Sequence, residues 1–283
     1  DPGRGRKIPG DDQRIQMRQR GRMNPGVQGG SFDTLGERDP KPYRRLWWLY
    51  APWAWLVFIP FLVLSTLFWG IVVLSLSPFS ARLAYRCGMI WAWCLCRVNF
   101  TRVKVIGWEH VRPGQSYIIM SNHQSHFDAL ALIGHLRLQI RWVLKEELGR
   151  IPVFGWYCVA GGHILIDRSS REKAIESLKR SRGLVSKGVS VIIFPEGTRT
   201  QDGRIGEFKK GGFMMALDLG LPILPVTISG TRRILPSGTL KLLPGKILIQ
   251  IHAPVDVNAY GPEQRDRLME DVKRAIASQC PAC

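Results

Sequence analysis

The chain has 283 residues, 40 lysines and arginines against 22 aspartates and glutamates, and a formal charge of +18. That length suits one large domain or two modest ones, and that charge calls for an anionic partner: nucleic acid, anionic lipid or a phosphorylated substrate. The placement of apolar residues argues against nucleic acid. Leu46 to Ala81 holds no charged residue, and seven of the ten tryptophans fall between Trp47 and Trp93. Tryptophan gathers in this way at a lipid interface, whereas nucleic-acid proteins scatter aromatics among basic residues. The six cysteines form no disulfide framework at this length, and the C-terminal Cys280-Pro281-Ala282-Cys283 lacks the βαβ context of a redox site, so all six are expected reduced.

Residues 1–45 are rich in Gly, Pro and Arg without apolar periodicity, and read as a flexible basic tail. They carry eleven basic and six acidic residues. A basic arm on anionic headgroups and a plain solvated tail fit equally well. Next come 36 uncharged residues, from Leu46, punctuated by Pro52, Pro60 and Pro78, more than the roughly 20 that one spanning helix needs. A second, shorter apolar segment follows to about residue 98. Both flanks are positive, so the positive-inside rule keeps both on the cytoplasmic side. The expectation is a membrane-anchoring two-helix hairpin over 46–98, with helices near 53–77 and 79–97, in preference to a single span.

From residue 99 to 283 the pattern is that of an α/β domain. "VKVIG", "YIIMS", "IRWVL", "HILID", "SVIIF", "PILPVTI" and "KILIQIH" read as strands, with helical stretches between several of them. Such alternation predicts a mostly parallel sheet flanked by helices, with the ligand beyond the carboxyl ends of the strands.

Three of these runs end in chemically loaded residues. In "NHQSHFD", Ser125 as N-cap would leave His123 in a loop and Asp128 in the first helical turn. The carboxylate could then fix the imidazole tautomer and free the other ring nitrogen as a base. Ser125-x-x-Asp128 is equally a capping box, and His123, His126 and Asp128 are too few for a metal site. In "FPEGTR", Pro195 and Gly197 force a turn that presents Glu196, Arg199 and backbone N–H groups, an arrangement suited to phosphate, or merely a tight turn with a surface ion pair. Arg168 after "HILID" and Lys145 after "IRWVL" add two cations at strand ends. No Walker loop, dinucleotide fingerprint or G-x-S-x-G elbow is present, which points to direct transfer without an enzyme nucleophile.

Taken together, Asn122-His123 with Asp128, "GGHILIDR", "FPEGTR" and "LPILPVTI" resemble the four signature blocks of the glycerolipid acyltransferases, most closely those acting on 1-acyl-glycerol-3-phosphate. The likeness runs over roughly residues 47–252, in the family's order; "FKKGGF" also fits. The resemblance implies transfer of an acyl group from acyl-CoA or acyl carrier protein to lysophosphatidic acid, giving phosphatidic acid, with glycerol-3-phosphate or another lysolipid such as lyso-ornithine lipid as the alternative acceptor. It implies His123 as general base oriented by Asp128, and Arg168, Glu196, Gly197 and Arg199 around the substrate, where Lys145 at its strand end would join them. It also implies a membrane-lipid setting and no metal or redox cofactor; the positive flanks put that setting on the cytoplasmic face, and the compact chain suits a bacterial inner membrane.

Overall fold

The computed structural model describes residues 41–151, 154–167, 173 and 188–278. Arg168, nearly all of the basic tail and the Cys280–Cys283 pair lie outside them.

The first helix, α1, runs Lys41–Trp53, passes through a π-helical turn at Ala54–Phe58 and continues as Ile59–Leu76. It therefore starts inside the segment expected as tail, and does not break at Pro52 or Pro60. Proline lacks the N–H of a helix interior and crowds the preceding turn; the π turn just before Pro60 is the kind of local widening that absorbs such a defect. Ser80 caps the second helix, α2 (Ala81–Val98), accepting from the Leu83 N–H at 3.2 Å.

The two helices differ in character more than an anchor of two apolar helices implies. Only α1, over Leu46–Leu76, is long and apolar enough to cross a membrane among the described residues. Val63, Leu64, Leu67, Phe68 and Ile71 are exposed on it. Helix α2 buries Ala84, Cys87, Gly88, Ala92, Leu95 and Cys96, a helical-period stripe that faces protein, and turns Arg82, Arg86 and Arg97 outward.

All seven expected strands form, in one sheet of order β1-β7-β6-β2-β5-β3-β4. They are β1 Thr101–Ile106, β2 Ile118–Ser121, β3 Gln139–Lys145, β4 Ile164–Ile166, β5 Val189–Ile193, β6 Ile223–Ser229 and β7 Gly245–Ile251. Strands β2 to β6 are parallel; β7 pairs antiparallel with β6 and parallel with β1, so the outer two run the other way. Because strand side chains alternate in direction, Tyr117 and Ile119 face the layer of α1, α2 and α3 (Phe127–His135). Ile118 and Met120 face α5 (Gly211–Leu219) and α6 (Arg265–Ala277); the short α4 is Phe154–Ala160. Helices α2 and α3 cross closely at Gly134, where a Cβ would stand 2.9 Å from the Trp93 nitrogen. The Sγ atoms of Cys87, Cys94, Cys96 and Cys158 are unbridged, as expected.

Candidate active site

β2 and β5 are neighbours at the centre of the sheet, and their carboxyl ends deliver the two motifs to one place. Asn122, fully buried, prolongs the β2–β6 pairing with its side chain: Nδ2 donates to the Ile228 oxygen at 2.9 Å and Oδ1 accepts from its N–H at 2.8 Å. That anchor fixes where the chain leaves the sheet. The following turn places the His123 ring against Asp128, with 2.7 Å between Nδ1 and Oδ2.

Asp128 Oδ2 also accepts from the N–H groups of Gln124 at 2.7 Å and Ser125 at 2.8 Å. The capping role and the histidine-orienting role, which the sequence left as rivals, are thus performed by the same oxygen. The cap differs in detail from expectation: α3 starts at Phe127 with His126 at the cap position, while Ser125 Oγ accepts from the Phe127 N–H at 3.1 Å and donates to the Leu235 oxygen at 2.7 Å. With Nδ1 engaged, His123 Nε2 has no partner among the described residues, and the side chain keeps 18% of its surface exposed.

Phe194 lies flat on the imidazole, centroids 3.9 Å apart and planes 7° from parallel. Sequence reading missed this contact, although Phe194 heads a motif it had singled out. A flat ring beside a base hinders its rotation away from the carboxylate.

Glu196 is buried and each of its oxygens accepts a backbone N–H: Oε1 from His123 and Oε2 from Gly206, both at 2.8 Å. The Thr200 N–H donates to the His123 oxygen at 3.0 Å. The "FPEGTR" turn therefore holds the backbone of His123 from both sides. Burial raises the Glu196 carboxyl above the usual range, opposed by its two backbone hydrogen bonds.

Gly197 has φ 74, a value that glycine adopts without strain, and its N–H donates to the Phe194 oxygen at 3.0 Å. That closes the turn, so this amide is not the free donor the sequence suggested; the N–H groups of Thr198 and Arg199 have no partner among the described residues. Arg199 Nη1 is buried without a hydrogen bond. Its charge, after partial desolvation and ahead of His123, lowers the pKa of His126. Lys145 is exposed at the end of β3. Lys209, from "FKKGGF", sets its Nζ 2.9 Å from where a Gly197 Cβ would be, a cation over the turn that sequence alone did not assign. Among the described residues no group of three metal-ligating side chains gathers.

Comparison with known proteins falls on the same residues. The acyltransferase family profile matches residues 102–229. A 1-acyl-sn-glycerol-3-phosphate acyltransferase of Chlamydomonas reinhardtii is 30% identical over 235 residues, covering 82% of this chain and 69% of that protein. One of Pseudomonas aeruginosa is 33% identical over 208 residues, 70% of this chain and 79% of that one. Two chloroplast relatives are matched over only 45% and 51% of their lengths. The crystal structure of the 1-acyl-sn-glycerophosphate acyltransferase of Thermotoga maritima superposes with a TM-score of 0.61 at 29% identity, covering 84% of this chain and 95% of that one. His123, Asp128 and the whole "FPEGTR" turn lie inside the matched region, and the chain belongs to the acyltransferase family.

Proposed function

We propose that the chain is a 1-acylglycerol-3-phosphate O-acyltransferase, which moves an acyl group from a CoA or acyl-carrier-protein thioester to the free hydroxyl of lysophosphatidic acid, forming phosphatidic acid. The observation that carries this is His123, held by Asp128 at Nδ1 and open at Nε2, beside Arg199 with a buried unpaired guanidinium nitrogen. A base next to a phosphate anchor is what an acceptor carrying both hydroxyl and phosphate requires. The names of the relatives and of the solved structure point the same way.

In the reaction, His123 Nε2 takes the acceptor hydroxyl's proton as its oxygen attacks the thioester carbonyl. The tetrahedral oxyanion collapses, the C–S bond breaks, and the imidazolium returns the proton to the departing thiolate. Asp128 keeps the reactive tautomer and stabilises the imidazolium. A positioned base of this kind contributes about 10²–10⁴-fold. Arg199, with Lys145, Lys209 and Arg168, holds the acceptor phosphate; the unpaired N–H groups of Thr198 and Arg199 are the donors for an anion at the turn. Glu196, whose oxygens both serve backbone amides, acts here as a brace for His123 rather than as a substrate ligand.

Helix α1, with α2 alongside, anchors the enzyme to the cytoplasmic leaflet of a bacterial inner membrane, where acceptor and product reside. The apolar face of α1 and the outward arginines of α2 suit a helix pair bedded at a lipid surface.

The test is acyl transfer from labelled palmitoyl-CoA, using protein in detergent and offering lysophosphatidate, glycerol-3-phosphate and a zwitterionic lysolipid together. Phosphatidate should form with the intact enzyme and not with His123→Ala. Product from a different acceptor would move the specificity; equal product from both proteins would refute the mechanism.

A further inference from the structure

A cleft of about 400 Å³, lined by Arg82, Arg86, Arg112 and Arg137, lies away from the His123 site. Its floor is formed by Gly114 and Gln115, which precede β2, by Gln139 at the start of β3 and by Gly188, which precedes β5. These are the amino ends of the parallel strands whose carboxyl ends carry His123 and Phe194. At ~3.3 Å per residue, strands of this length separate the two places by roughly 13–23 Å. Trp108 and Val111, just past β1, form an apolar wall.

Four arginines line this one cavity and, among the described residues, no carboxylate does. All four arginines are exposed, and none forms an ion pair among the described residues. Like charges gathered around a concave surface repel one another and focus a positive potential that a bound anion relieves. The rim is built rather than incidental. The Arg112 N–H donates at 2.9 Å to the hydroxyl of Tyr117, itself buried, the Gln115 N–H to the Arg112 oxygen at 3.3 Å, and the Gly188 N–H to Ser116 Oγ at 3.1 Å. The volume is that of a small-ligand site. The turn before α2 presents Phe79 at 88% exposure and the first turn of α2 presents Leu83 at 45%, so apolar side chains neighbour Arg82 and Arg86 in the chain.

We propose that this cleft is a second anion site, separate from the catalytic one, which binds a phosphate group through arginine forks. The phosphate belongs either to an anionic lipid headgroup, reached because Phe79 and Leu83 dip into the bilayer, or to a soluble phosphorylated compound.

The experiment uses the whole protein in detergent and the Arg86→Ala/Arg112→Ala variant. Both side chains are exposed and outside the catalytic machinery, so acyl transfer in zwitterionic micelles should match the parent and serves as the folding control; Arg86→Gln/Arg112→Gln, which keeps more bulk, replaces it if needed. Calorimetry with pyrophosphate is run on an Arg199→Ala background, to weaken the proposed acceptor site. Vesicle flotation compares phosphatidylcholine with and without phosphatidate. Loss of a charge-assisted contact weakens binding about tenfold or more. A loss of that size for pyrophosphate alone supports the site with a soluble ligand. Loss of the phosphatidate-dependent part of vesicle binding, with binding to neutral vesicles intact, supports a headgroup. Changes under twofold in both arms, with transfer intact, would overturn the proposal.

Discussion

Replacing Asp128 by asparagine separates the two tasks of its Oδ2 atom. Three donors converge on that oxygen: His123 Nδ1 and the N–H groups of Gln124 and Ser125, all within 2.8 Å. An asparagine must keep its oxygen there, because a flipped amide would point NH₂ at two fixed backbone donors, at a cost of about 1–3 kcal/mol for each bond lost. The His123 tautomer and the start of α3 should therefore survive. What is lost is the negative charge beside the imidazolium of the transition state. A hydrogen bond to a charged group is worth roughly 1.5–3 kcal/mol, or ~10–150-fold in kcat. The acceptor KM and the melting temperature should stay near the parent values. Asp128→Ala, by contrast, leaves two buried amides unsatisfied and should cost about 2–6 kcal/mol of stability. Steady-state kinetics and thermal melts of both variants decide the matter. Asparagine activity as low as that of His123→Ala would refute the claim that the backbone amides fix the tautomer; activity within threefold of the parent would refute the role of the charge.

Glu196→Gln retains one acceptor oxygen but turns an NH₂ toward either the His123 or the Gly206 amide. It should lower kcat by about 1–3 kcal/mol, roughly 5–150-fold, with little change in acceptor KM. Because burial raises the Glu196 carboxyl, its stabilising contribution is full below the ordinary carboxylate range and is lost as pH rises through its raised folded value. Melts from pH 4 upward, an experimental range of roughly that start, should therefore fall less steeply for Glu196→Gln than for the parent. Phe194→Ala removes the ring lying on His123 and should reduce kcat about 2–13-fold while Phe194→Tyr retains activity, in line with an aromatic contact of ~0.5–1.5 kcal/mol. Arg199→Ala should raise the acceptor KM by at least about tenfold, with a smaller effect for a lysolipid that lacks the phosphomonoester; equal effects on both acceptors would count against the phosphate role.

The fold was legible where the polypeptide alternates cleanly. Seven apolar runs bounded by Gly, Pro and polar residues became seven strands, since buried parallel strands are near-continuous apolar runs. The antiparallel setting of β7 against β6 was not legible, because strand direction depends on the path of the segment between them, around Thr231–Ile234. At the site, His123 and Asp128 could be paired from spacing alone once a cap was assumed. The brace of Glu196 could not, because it joins backbone N–H groups of residues 73 and 10 positions away, and backbone donors leave no mark on side-chain pattern. Phe194 reads as the last residue of a strand; only the pairing of β2 with β5 brings it over the imidazole. The start of α1 was not legible for a different reason. The helix was expected from about residue 53, just after Pro52, whereas it begins at Lys41 and carries Pro52 and Pro60 on either side of a π turn at Ala54–Phe58.

That π turn also joins the long apolar helix to the site. Ala54 and Phe58, within it, are buried in the same core as Leu132 and Ile119, and Phe58 stacks on Phe127 with centroids 6.3 Å apart. Phe127 is the first residue of α3, immediately before Asp128. Tyr50 and Trp53 tie the preceding turn of α1 to the end of α2, through Asn99 Oδ1 and the Val98 oxygen, both at 3.2 Å. One face of the early part of α1 is therefore part of the domain, while its other face, with Trp48, Leu49 and Leu56, and the later turns, with Val63, Leu64, Leu67, Phe68 and Ile71, stay exposed. On the proposed reading, an enzyme whose acceptor and product are both lipids gains from this continuity. The segment that meets the bilayer packs directly against the turn holding the catalytic carboxylate, so the distance from lipid surface to His123 is set by side-chain packing rather than by a flexible linker.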